Sequence, residues 1–143
     1  MQKNAIVLIC TLFIFITDLS AQIVKTIHQA FPMEKSSTQV HIDISYPFEH
    51  KTWVGDYVLV ETTINLSNAT QSIMDFLHKS GRYKVEQYKY QTSAGLRMKK
   101  MPRKAVQTSK GLCEEKVLVT IYIPEHLEVE GIGVTKEDKA IDK

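Results

Sequence analysis

Cysteine is almost missing from this chain: among 143 residues only Cys10 and Cys113 carry a thiol. Charge of one sign is missing as well, because 18 basic side chains face 16 acidic ones for a net +2. That balance leaves no global field to recruit nucleic acid or an anionic membrane. No serine sits in a Gly-x-Ser-x-Gly elbow, no glycine-rich loop is built to cradle phosphate, and no second cluster of ligands stands at metal spacing. These gaps point away from an enzyme and from any cofactor or metal.

What is present begins with a leader. Lys3 is followed by an apolar run from Ala5 to Ile16 and then by the polar stretch Thr17, Asp18, Leu19, Ser20 and Ala21. This is the order of a secretory signal peptide. The apolar core falls well short of the ~20 residues that cross a bilayer as a helix, and the small residue Ala21 suits a cleavage site. The expected division is therefore a signal peptide over 1–21, a β-rich exported domain over 22–130 and a polar, flexible tail over 131–143. Once the leader is cut away, no transmembrane segment is expected. The mature chain then has the size of one domain with one core. Cys113 becomes the sole thiol, either a buried small hydrophobe or an exposed group able to pair between chains. Its neighbours Glu114 and Glu115 oppose ionisation and so a nucleophilic role.

Hydrophobic periodicity supplies the elements. Val40, Ile42, Ile44 and Tyr46 alternate with polar residues, as do Val58, Val60, Ile64 and Leu66. Both segments are predicted as strands with one wet face. Trp53 falls in the connection between them. Over 68–80 the period changes, with Ile73, Met74, Phe76 and Leu77 at helical spacing. Asn68 or Thr70 is placed to cap the helix start, and Gly81 to end it. Tyr83 to Tyr88, a polar turn over 92–95 and then Leu96 and Met98 predict a hairpin. Pro102 keeps the following basic segment in a loop or at an edge. Val117, Val119, Ile121 and Ile123 form the strongest strand; apolar on both faces and closed by Pro124, it is expected inside a sheet.

The segment Trp53, Gly55, Asp56, Tyr57, Val58, Leu59, Val60 and Glu61, a helical insertion, and then Val117 to Pro124 followed by Leu127, Val129, Glu130 and Gly131 form an ordered series. It resembles the auto-transporter adhesin-like domains of unknown function found in exported proteins of Gram-negative bacteria. The resemblance spans about two thirds of the mature chain. It implies a surface or periplasmic structural and adhesion role with no defined catalytic site, and a valine-rich strand leading into glycine-marked β-solenoid rungs. The expected fold is thus mainly β with one short α-helix in a single domain, either an antiparallel sheet or sandwich or a truncated β-solenoid.

The histidines His28, His41, His50, His78 and His126 are the first suspects for chemistry. His41 and Asp43, two apart on one strand face, could present an imidazole and a carboxylate to one ion. The simpler expectation is that they are the solvated residues opposite Val40, Ile42 and Ile44. Asn65 and Asn68 each begin an acceptor pattern for N-glycosylation, although a polar strand-to-helix junction explains them equally well. The candidate ligand-binding residues are Lys99, Lys100, Arg103 and Lys104, with Tyr88 and Tyr90 on the preceding strand. Basic groups with aromatic faces suit an anionic glycan or lipid of the cell envelope, although a charged loop also guards a sheet edge. Two functional readings follow: an exported adhesion-type domain contacting envelope polysaccharide, lipid or protein, and a periplasmic binding module for an anionic glycan or lipid. The oligomeric state is left open.

Overall fold

The computed structural model of the chain describes residues 22–131. The expected leader and nearly all of the expected tail lie outside the described residues. Ten strands and one helix follow in order: β1 Ile23–Pro32, β2 Gln39–Asp43, β3 Phe48–Trp53, β4 Tyr57–Ser67, α1 Gln71–Lys79, β5 Val85–Tyr90, β6 Ser93–Met98, β7 Gln107–Thr108, β8 Gly111–Leu112, β9 Glu114–Pro124 and β10 Glu128–Gly131. They form sheet A, ordered β1-β4-β9-β3, sheet B, ordered β10-β2-β6-β5, and a small β7-β8 ribbon. Among the described residues no helix is long and apolar enough to cross a membrane.

The two large sheets face each other across a core whose composition follows from strand alternation. Every second residue of β4 from Val58 to Leu66 is buried. Val58 and Val60 meet Val119, Ile121 and Ile123 of β9 from the same sheet, and Val40, Ile42, Val85 and Leu96 from the other. Period-two patterning places all of these on inner faces. β9 is flanked by β4 and β3, as its two apolar faces predict.

The mainly β, one-helix, single-domain expectation holds, and the arrangement is the sandwich rather than the solenoid. The expected antiparallel pairing is corrected, because the sheets are mixed. β1–β4, β4–β9 and β5–β6 are antiparallel, whereas β3–β9, β2–β6 and β10–β2 are parallel. Parallel pairing demands crossover connections, and here the crossovers pass from one sheet to the other. Gly131 does not mark a rung, since it ends β10 beside Ile42, and Gly133 lies outside the described residues.

α1 starts at Thr70, whose hydroxyl accepts from the Ile73 N–H at 3.4 Å. Asn68 is not the cap: it takes a left-handed φ of 58° and donates from its side-chain amide to the Leu112 carbonyl. Gly81, at φ 82°, ends the helix while Arg82 N–H reaches back to the Leu77 carbonyl at 3.2 Å and Gly81 N–H to that of His78. This is the paired C-terminal pattern that glycine permits. Met74 and Leu77 are buried with Ile64, Leu66 and Tyr83 in a second cluster at one end of the sandwich. Phe76, expected on that stripe, is 69% exposed, because it lies roughly a third of a turn from the centre of the face shared by Ile73, Met74 and Leu77.

Three further details correct the expectations. β1 and β3 emerge as edge strands, and Trp53 belongs to β3, opposite Pro124, rather than to a connection. The hairpin turn is only Gln91 and Thr92, with Gln91 at φ 49°, so that Ser93, Ala94 and Gly95 already belong to β6. Finally, the Gln29 amide spans from edge strand β1 to edge strand β5. It accepts from Val85 N–H at 2.9 Å and donates to the Val85 carbonyl at 3.1 Å, closing one side of the sandwich with a side chain in place of a strand.

Candidate functional site

The outer face of sheet B gathers the aromatic and cationic groups. Since Val40, Ile42, Leu96 and Met98 point into the core, alternation turns His41 and Asp43 of β2, Gly95 and Arg97 of β6, and Tyr88 and Tyr90 of β5 outward. Register then sets neighbours: His41 beside Gly95, Gly95 beside Tyr88, and Asp43 beside Arg97.

Gly95 is the reason the Tyr88 ring can lie against the strand. A Cβ there would stand 2.5 Å from the Tyr88 ring, so only glycine leaves the ring room to rest on the strand. Tyr90 stacks on His41 with ring centres 3.7 Å apart and planes 11° from parallel, and Tyr88 meets each of them edge-on at 6.4 Å. The Arg97 guanidinium stands 4.8 Å from the Tyr88 ring centre, a cation–π arrangement. Burial and the Asp43 carboxylate push the Tyr88 phenol above its ordinary range, while Arg97 opposes them.

His41 is therefore not a solvated residue. It is 5% exposed, covered by Tyr90, and its Nδ1 has no hydrogen-bond partner among the described residues. Asp43 does remain exposed. Among the described residues no three His, Cys, Asp or Glu side chains are grouped to hold a metal ion. Arg97 Nε is likewise buried and unpartnered, and Arg97 forms no ion pair among the described residues.

The basic segment continues this face. Lys99, Lys100 and Arg103 join Arg97, Asp43 and Ser45 around a shallow depression of about 210 Å³. A larger one, of about 660 Å³, lies on the hairpin side between Glu34, Ser37 and the β5–β6 turn, with Tyr88 among its lining residues. Of the six residues singled out from sequence, the fold brings Lys99, Lys100 and Arg103 together, joins Tyr88 to them through Arg97, and seats Tyr90 on His41. Lys104 stands apart. It is absent from that depression, and its backbone carbonyl accepts from Arg82 at 3.2 Å. Arg97 and Gly95 were missed by sequence reasoning. The available signal was the break in apolar character between Leu96 and Met98 on a strand facing Tyr88.

A buried polar network holds the basic segment in place from behind. Glu115, at the start of β9, accepts from Arg82 Nε at 2.9 Å, Tyr83 Oη at 3.1 Å and Tyr46 Oη at 3.1 Å. Arg103 lies 4.8 Å above the Tyr46 ring. Burial first and then the Glu115 charge raise both tyrosine phenols above their usual value. Cys113 is half-buried beside this network and packs against the helix-end cluster, which places it nearer the small-hydrophobe reading. Burial, with Glu115 adding to it and Arg82 opposing, pushes its thiol up, away from the thiolate that a nucleophile requires.

Compared with protein-family models, characterised proteins and solved structures, the chain matched none.

Proposed function

We propose that this chain is an exported, non-enzymatic adhesion-type domain of the Gram-negative cell envelope, and that it makes contact by binding an anionic glycan across the outer face of sheet B. The observation that carries this reading is the Tyr88–Arg97 pair seated on Gly95. An aromatic ring lying along a sheet offers a flat apolar surface to a sugar ring. The adjoining guanidinium, without an ion pair among the described residues, offers a planar fork of donors to a carboxylate or sulfate. Lys99, Lys100 and Arg103 extend the positive charge beside it, and Asp43 supplies an acceptor for sugar hydroxyls.

Calorimetric titration of the mature chain with a uronic-acid oligosaccharide, its neutral counterpart and vesicles of anionic phospholipid tests the reading. Binding of the acidic sugar alone, lost in both Tyr88→Ala and Arg97→Ala while the thermal midpoint holds, is the expected result. Preference for the vesicles, or indifference to both substitutions, overturns it.

A further inference from the structure

A further depression, of about 360 Å³, opens between the end of α1 and the start of β5. Its charged lining residues are Lys79 from the last turn of the helix, Lys84 just before β5 and Lys99 just after β6, with His78 alongside; no acid among the described residues lines it. None of the three lysines has an ion-pair partner among the described residues. Lys79 and His78 also suit the negative end of the helix, but Lys84 and Lys99 belong to no helix. Like charges gathered on one concavity repel one another unless an anion or solvent ions screen them.

The turn at Gly81 sets this arrangement. A Cβ on Gly81 would stand 3.2 Å from both Cδ and Nζ of Lys99, so the bare glycine lets the lysine chain lie across the turn. The Lys99 N–H is fixed by the Lys84 carbonyl at 2.8 Å. Lys99 also lines the depression that holds Arg97, Lys100 and Arg103. The two concavities therefore share one cation, Lys99, at the end of β6.

We infer that the Lys79–Lys84–Lys99 depression is a second anionic subsite, and that the ligand of the sheet B face is an extended acidic polysaccharide whose chain carries a negative group into each depression. This inference rests on the glycan-binding reading above. It adds ligand length, because a single charged sugar or a single headgroup fills only one concavity. Linking two modest contacts on one chain raises apparent affinity steeply, so length is the property to measure.

The experiment titrates the mature chain, at physiological ionic strength to limit nonspecific attraction, with a disaccharide and a decasaccharide of one sulfated uronic-acid series. The wild type is expected to hold the decasaccharide on the order of 100-fold more tightly than the disaccharide. Lys79→Glu with Lys84→Glu should remove that gain and leave disaccharide binding unchanged, whereas Arg97→Ala should weaken both probes. Equal affinities for the two lengths, with Arg97→Ala still weakening both, overturn the second subsite and leave the sheet B reading standing. Parallel losses for both probes in the double lysine variant also overturn it, since they signify a general field effect. Failure of both probes to bind the wild type overturns the sheet B reading and the subsite together.

Discussion

Arg82 and Glu115 meet at 2.9 Å with their side chains only 11% and 16% exposed, which joins the turn after the helix to the first residues of β9. Tyr46 and Tyr83 complete the carboxylate's set of donors. Removing the acid strands a guanidinium and two hydroxyls in a largely dry site. Glu115→Ala is therefore expected to cost about 3 kcal/mol, read as a lower urea midpoint. Glu115→Gln, which keeps a side-chain acceptor, should cost less.

The same network sets an alkaline limit. Tyr46 and Tyr83 have folded-state values above the unfolded value of about 10. The stability they add is complete below that pH and is lost as pH climbs from there towards the folded values. Urea unfolding should thus be flat up to about pH 9.5 and weaken above about pH 10. Tyr83→Phe should show a shallower alkaline loss, and a stability curve equally steep in that variant would refute the assignment.

Gly95→Ala tests the platform without touching a charge. The added methyl collides with the Tyr88 ring, so the ring must lift from the strand and the Arg97 stack must open. Glycan affinity is expected to fall about tenfold, roughly 1.4 kcal/mol, with far-UV circular dichroism unchanged. Retained affinity would mean that the ring's position does not matter to binding.

Gln29→Ala removes both partners of the Val85 backbone at once. A buried amide left without its hydrogen bonds costs about 1–3 kcal/mol. Hydrogen exchange at the Val85 amide should accelerate more than at Val58 or Ile121, whose strands lie inside sheet A. Uniform acceleration across these amides would show that the amide bridge has no local effect.

Export is tested by expression in a Gram-negative host. Recovery from the periplasm or medium of a chain beginning at Gln22 is the expected outcome; a soluble cytosolic product retaining Met1 counts against it.

The parts of this fold that were legible in the sequence are those whose stability is local or regularly apolar. β4 alternates cleanly, β9 is a long apolar run closed by Pro124, and Thr70 and Gly81 punctuate the helix with residues chosen for backbone geometry. β1 hid because two of its inward positions carry Lys25 and Gln29. Each has a distant partner, Asp75 on the helix and Val85 on the other sheet, which no local window reveals. β3 hid for the opposite reason: from Glu49 to Thr52 it is almost wholly polar, as an edge that pairs on one side can be. The candidate face was half legible. Tyr88 and Tyr90, two apart, announce one surface, but the Arg97 contact with Tyr88 depends on the β5–β6 register, and the stacking of His41 on Tyr90 is fixed only when β2 docks parallel to β6.

That docking bears on how the polypeptide acquires its shape. β1 joins sheet A, β2 sheet B, β3 and β4 sheet A, β5 and β6 sheet B, then β9 sheet A and β10 sheet B, so neither layer is contiguous along the backbone. Sheet A is split without Glu114–Pro124, since β9 alone links β3 to β4, and β10 supplies the outermost strand of sheet B. Such distant pairings slow folding. A nascent chain must stay open until β9 and β10 have emerged, and fragments divided at any loop are expected to regain structure only when mixed.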